Sequence, residues 1–529
     1  MKKQILVFLV VVLAVSLFAG CKPQASQPVT FIFAKGGDAI GLDPGDDPDN
    51  HSSSIWCSIF ESLVKFKPGS TEVEPSLATS WDLSPENLVW TFHLRQGVRF
   101  QDGTPFNADA VVFTYERYTD PNNAYHKLGT WENWEWCASQ VTKTEKVDDY
   151  TVKITLSQPY TPFISALATA GGVVSPTSCE KWQGQSVIHP VGTGPFEFVE
   201  WLKGDHITLE KNPNYWGDKP KIDKLIFTVV KDASQRFLSL QKGEVQGIEF
   251  PNAEDLTKMS QDTNLQILRE PGVTVSYLGF NVGTDTPGFQ KPFGDVRVRE
   301  AIACAIDKKA IVDQIFKGTA VVAKTIIPPT LWGYNDTIQD YDYNPTKAKE
   351  LLKAAGYANG FKTQLWTLPV ARPYLPDPQS VAVAIQADLK KVGIDAEIVT
   401  YDWSTYFHKV DNGDAPMNIA GWIADYPDPD DFLYTLFDSD HATVGTASNS
   451  CFYRSPAVHS LNIQAQQITD QTKRAELYKQ VQEIMHKDIP CVPLAHVEQI
   501  VVLNKNVKGF VLYPVGRYYF DTTSIGTSE

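Results

Sequence analysis

The chain alternates between two hydrophobic rhythms. Residues 89–94 (VWTFHL) and 151–156 (TVKITL) place apolar side chains at every second position, the period of a half-buried strand. Residues 108–118 instead repeat near 3.6, with Val111, Val112 and Tyr115 on one face and Asn107 placed to cap, so a helix is predicted there. The second half is more regular. After Asp295 the amphipathic run VRVREAIACAIDKKAIVDQIF reads as one helix ending at Gly318. Asn344-Pro345 opens TKAKELLKAAG, with proline at the first helical position and Gly356 at the end. A predicted strand follows at 361–368, a helix at 379–392 before Gly393 and a strand at 395–401. A helix at 404–410 and a strand at 417–423 complete the stretch. Two successive β–α–β units predict a parallel sheet with right-handed crossovers.

The N-terminus breaks this pattern. Met1-Lys2-Lys3 is followed by an almost wholly apolar run from Ile5 to Ala19, closed by Gly20-Cys21. That is the three-part pattern of a secretory signal, and it is short for a membrane span. Phe18-Ala19-Gly20-Cys21 is similar to a bacterial lipobox, with Leu17 one place earlier than the common position. Cys21 would then carry the lipid and begin the mature chain. Residues 22–28 (KPQASQP) have the polar, proline-flanked character of a tether.

Composition narrows the function classes. The 529 residues include 47 Lys plus Arg against 62 Asp plus Glu, for a formal net charge of −15. That acidity argues against nucleic-acid binding. An apolar content of 43% excludes wholesale disorder. Besides Cys21 there are Cys57, Cys137, Cys179, Cys304, Cys451 and Cys491, with no CxxC spacing, so zinc ribbons and thioredoxin-like chemistry are not indicated. Export permits disulfides, but spacing does not choose a pairing; isolated buried thiols are the plainer expectation.

The candidate chemistry lies in two loops that follow parallel strands, where open α/β sheets bind ligands. Residues 369–374 (PVARPY) carry Arg372, and residues 424–429 (ADYPDP) carry Asp425. One cation and one anion among apolar and aromatic neighbours suit a zwitterionic ligand of limited length. Asp428, Asp430 and Asp431 lack the DxDxDG spacing of a calcium loop, so turn formation and helix capping by Asp430 or Asp431 are expected. Gly192-Thr193-Gly194 lacks the GxxxxGK[ST] pattern of a phosphate loop and reads as a structural turn. GxSxG and HExxH are also absent, so the chain is read as a binding protein rather than an enzyme, with neither cofactor nor metal.

Several segments resemble the solute-binding components of peptide ABC importers, the peptide/nickel family 5. They are PVGTGPF (190–196), NPNYWGDKPKIDKL (212–225), GDVRVREAIACAIDKKAI (294–311), IIPPTLWGYND (326–336), PVARPY and GWIADYPDPDDF (421–432). PVARPY together with GWIADY is closest to the dipeptide branch. The resemblance implies an α/β, two-lobed periplasmic-binding-protein fold of the Venus-flytrap, type II-like kind, with an extra subdomain in the first lobe. Its implied boundaries are 1–20 signal peptide and 21–30 lipidated Cys and tether. Lobe I would comprise 31–72, 191–280 and 504–529, with its subdomain at 73–190, and lobe II 281–503. The chain would leave lobe I at 275–281 and return at 497–504.

By the same resemblance, Asp425 takes a peptide's α-ammonium and Arg372 its terminal carboxylate. Tyr374, Trp422, Ile423 and Ala424 supply walls and backbone contacts, and Trp403 flanks the side-chain pocket. Asp49, Asn50 and His51 form the contact loop of the opposite lobe. The implied protein is an exported monomer, anchored to the cell membrane by its lipid or in the periplasm, binding dipeptides or tripeptides for an ABC permease. Longer oligopeptides, glutathione, haem, a nickel chelate or oligosaccharides are alternative cargoes on this fold.

Overall fold

The computed structural model describes residues 28–46, 49–183 and 188–526. The signal run, Cys21 and the tether up to residue 27 lie outside the described residues. No helix among those described is long and apolar enough to cross a membrane.

A twelve-stranded mixed sheet runs through the molecule. Its central element is the long strand Cys491–Asn504, whose two ends serve different neighbours. Residues 491–497 pair with Thr274–Phe280 and Ala320–Val322, and residues 498–504 pair with Leu265–Pro271 and Gly247–Glu249. One lobe extends from the second end through Thr30–Lys35, Lys224–Val229, His206–Lys211 and Phe196–Leu202. The other extends from the first end through Met417–Ile423, Phe361–Trp366 and Ile394–Val399. A separate four-stranded antiparallel sheet carries Val89–Leu94 and Thr151–Leu156, backed by the helix Ala108–Thr119 with Asn107 as its cap.

The β–α–β reading is realised in the second lobe. Phe361–Trp366 pairs in parallel with Ile394–Val399 and with Met417–Ile423. Both faces of a parallel sheet must be covered, which accounts for the wholly buried Ile385, Leu389, Ile394, Met417 and Ile419 in one cluster. The helix expected across residues 296–316 is broken. Val296–Ala305 ends at Ile306, whose backbone is extended, and Asp307 caps a new helix by accepting from Ala310 N–H at 2.9 Å. An aspartate able to satisfy free N–H groups competes with helix continuation at that point.

The turn at residues 192–194 is structural. A Cβ on Gly192 would lie 2.2 Å from the Ile59 carbonyl oxygen, so only glycine allows the backbones to meet. Thr193 Oγ1 donates to Glu61 at 2.7 Å. The six cysteines among the described residues are buried and form no disulfide.

Candidate functional site

The loops bearing Arg372 and Asp425 leave adjacent parallel strands at the same edge of the sheet. Each is short because a capped helix follows at once. Asp377 caps Pro378–Lys391 through Ser380 N–H at 3.0 Å. Asp428 caps Pro429–Phe437 through Asp430 N–H at 3.0 Å. The cap is thus Asp428 rather than Asp430 or Asp431, because Pro429 takes the first helical position and the residue before it must be the cap. Asp428 is further held by both terminal nitrogens of Arg474 at 2.8 Å, and that guanidinium stacks over Trp332 at 4.9 Å.

Asp425 is anchored through its backbone. Its N–H donates to Asp431 Oδ2 at 2.9 Å, and the same oxygen accepts the Trp422 indole N–H at 3.0 Å. The Asp425 carboxylate itself accepts no hydrogen bond from any described residue. Burial pushes its pKa up to about 7, against the opposing pull of Arg517. Asp431 is buried and driven well above the carboxylate range, first by desolvation and then by the Asp425 charge. Just ahead of Asp425, Ala424 N–H donates to the Val273 carbonyl at 2.9 Å, while Trp422 and Ile423 pair with Val275 and Thr274. The loop therefore begins beside the passage between the lobes.

The first lobe meets this loop from across the gap. Arg517 is buried, donates to the Thr169 carbonyl at 2.6 Å and stacks over Trp56 at 4.6 Å. Cys137, on the helix Glu132–Ala138, has its thiol pushed well up by burial and then by the charges of Asp425 and Asp431.

Arg372 sits in a turn closed by reciprocal backbone bonds with Leu375 at 3.0 and 2.9 Å. Its guanidinium lies 4.9 Å from the Trp403 ring centre and 6.0 Å from that of Tyr374. Its Nε is buried without a hydrogen-bond partner. Tyr374 folds back over the strand Met417–Ile423: a Cβ on Gly421 would lie 2.2 Å from its ring, so glycine there makes room for it. Arg372, Tyr374, Trp403, Trp422, Ile423, Ala424 and Asp425 thus gather around one end of the second lobe's sheet.

Asp49, Asn50 and His51 lie in the first lobe. Asp49 caps the short helix Asn50–Trp56, accepting from His51 and Ser52 N–H at 2.9 and 3.0 Å. His51 Nδ1 approaches the buried Glu249 at 3.3 Å. Asn50 Oδ1 would lie 3.6 Å from a Cβ on Gly516, next to Arg517. Residue patterns did not single out Arg517, which belongs to a C-terminal segment with no motif. Asp431 was visible only as one aspartate of an acidic turn.

Chemically, this is a site for holding charge. It offers a carboxylate and a guanidinium with unfilled bonding capacity, framed by aromatic rings. Burial also pushes the thiols of Cys57 and Cys451 up to about 12, which makes them inert.

Residues 72–443 match the family described as bacterial extracellular solute-binding proteins, family 5 middle. The chain is 38% identical to the dipeptide-binding protein of Escherichia coli (strain K12), over 97% of this chain and 98% of that protein. It is also 38% identical to heme-binding protein A of Haemophilus influenzae, over 96% and 94%. Among solved structures, HbpA2 from Haemophilus parasuis superposes with a TM-score of 0.87 at 36% identity, covering 94% of this chain and 100% of that one. The periplasmic binding protein DppA from Helicobacter pylori, in complex with the peptide STSA, superposes with a TM-score of 0.80 at 37% identity, covering 94% and 99%.

Proposed function

The chain belongs to the bacterial extracellular solute-binding proteins of family 5, transport binding proteins rather than enzymes, and from that premise we propose that it captures dipeptides, and also tripeptides, between its lobes for an ABC importer. The observation carrying this reading is the pair of unfilled groups on neighbouring loops: the Asp425 carboxylate and the Arg372 guanidinium. Arg372 Nε is buried without a partner and the half-buried Asp425 carboxylate accepts no hydrogen bond, so both are open to a ligand that supplies the missing halves. The peptide ammonium meets Asp425, and its carboxylate meets Arg372 as a charge-assisted fork. Tyr374, Trp403, Trp422, Ile423 and Ala424 form the walls, and backbone bonding plus water gives tolerance of side chains. From the first lobe Asn50, Asp49 through the oxygen not used in capping, and His51 beside Glu249 complete the contacts. Cys21 tethers the mature protein by a lipid.

Calorimetry with a panel of di-, tri- and tetrapeptides, glutathione and haem tests this. Dipeptides should bind, and Asp425→Asn or Arg372→Ala should weaken them by about 3–5 kcal/mol, because each strands a ligand charge in a dry cleft. Undiminished dipeptide affinity in both variants would refute the site. The identity shared with the haem-binding relative supports a second reading in which haem occupies the same cleft. Binding of haem with no response to any peptide would establish that alternative. Radiolabelled palmitate incorporation, lost in Cys21→Ser, tests the anchor.

A further inference from the structure

Two carboxyl groups share the Asp425 end of the cleft, and their bonding is unequal. Asp431 Oδ2 takes two N–H donors, from Asp425 and Trp422, while the Asp425 carboxylate takes none. Few charged or titratable groups face them. Arg517 approaches Asp425 from the C-terminal segment, and the Cys137 thiol faces both acids from the subdomain helix. Asp430 and Tyr426 flank Asp431 from its own helix and loop. Asp430 has its own partners in Tyr160, Gln466 and Tyr478. Arg517 is therefore the one cation facing Asp425 among the described residues. Asp431 is buried and Asp425 half-buried, so two ionised carboxylates against one guanidinium would leave a negative charge poorly compensated. The Asp425 backbone N–H on Asp431 Oδ2 brings the two acids to the same place, and a single proton carried by one or other of them restores balance. An arriving ammonium brings a second positive charge, and the pocket is then balanced with both acids ionised.

We propose that Asp431 is the positioning residue of the ammonium subsite: it shares one proton with Asp425 in the empty cleft, and the pair releases that proton to solvent as the ligand's cationic amine enters. The proposal rests on the peptide-binding reading and adds a stoichiometry to it, one proton out for each amine in. Because the same Asp431 oxygen holds the Trp422 indole and the Asp425 backbone, the apolar wall and the charged group are set as a unit.

The test titrates the full chain with L-alanyl-L-alanine at pH 6.5, in buffers of different ionisation enthalpy. The expected heats differ by the release of about one proton per peptide, and affinity falls about tenfold for each pH unit below the pair's titration. Asp431→Asn keeps an oxygen for both N–H donors but cannot hold the proton. Its heats should become independent of buffer and its affinity profile should flatten. A second measurement needs no ligand. The Trp422 indole N–H, assigned in nitrogen-15 spectra by its loss in Trp422→Phe, should shift with pH near neutrality in the wild type and stay constant in Asp431→Asn. Peptide binding without buffer dependence, or an indole signal constant from pH 5 to 9, would overturn proton sharing. If alanyl-alanine does not bind at all, the peptide reading fails, and the indole titration alone decides the carboxyl pair.

Discussion

The Tyr160 hydroxyl donates to Asp430 Oδ2 at 2.8 Å and stands 2.7 Å from the Tyr426 hydroxyl, bonding the subdomain of the first lobe to the helix behind the candidate site. Beside it, Thr161 N–H donates to the Gln466 carbonyl at 2.7 Å. The two lobes are joined here by a buried polar network as well as by the crossing strand.

Tyr160→Phe removes a donor from Asp430, whose pKa burial already raises to about 6. Tyr426 still donates to the same oxygen at 3.2 Å, so the expected loss is that of one hydrogen bond to a carboxyl group, about 0.5–2 kcal/mol. Urea denaturation measures it, and an unchanged midpoint would show that the bond is not formed in solution.

The Arg474–Asp428 fork fixes the start of the helix after the Asp425 loop. Asp428→Ala leaves a buried guanidinium uncompensated and removes a helix cap, so a loss of about 3–5 kcal/mol is expected. Replacing both partners with apolar residues of similar volume should cost less than the single change. Thermal melts of the three variants separate the stranded charge from the net worth of the pair.

Asp425 should destabilise the empty protein at high pH. Its folded pKa of about 7 exceeds the unfolded value of 3.8, so the folded state retains a proton that the unfolded chain releases. Stability therefore falls as pH rises from about 4 to about 7 and stays reduced above. Asp425→Asn should be more stable than wild type by about 1–3 kcal/mol at pH 8 and nearly equal to it at pH 4, while losing ligand. Guanidinium unfolding at the two pH values checks the sign.

His496 gives the opposite slope. It is buried on the crossing strand, its Nδ1–H donates to the Thr274 carbonyl at 2.8 Å, and burial lowers its pKa from 6.5 to about 4. Lys308 opposes its protonation as well. The neutral ring's contribution is present above pH 6.5 and is lost as pH falls towards 4, by about 3 kcal/mol. His496→Gln should flatten that part of the stability profile. An identical acid slope in variant and wild type would mean the ring titrates normally.

Much of this could be read before folding. Residues 344–423 show strand and helix periods bounded by Asn344-Pro345, Gly356 and Gly393, and the strands and helices form within a few residues of those limits. PVARPY and ADYPDP follow strands of that unit, so Arg372 and Asp425 were expected together at the strand ends. The reading failed where one residue type serves two purposes. Asp307 reads equally as an exposed helical residue or as a cap. The aspartates at 428, 430 and 431 read as interchangeable, whereas one caps, one bonds to Tyr160, and one holds Trp422 and Asp425.

The order of apolar and polar residues by itself determined the parallel unit, its crossovers and the edge at which the charged loops emerge, because hydrophobic period and local capping act over a few residues. Only the tertiary structure decided which charges are answered. Asp428 found Arg474, Glu249 found Lys35 and His51, and Asp425 was left with an open carboxylate facing Arg517. Desolvation and Coulomb attraction depend on burial and distance in space, and neither is written in the spacing along the chain.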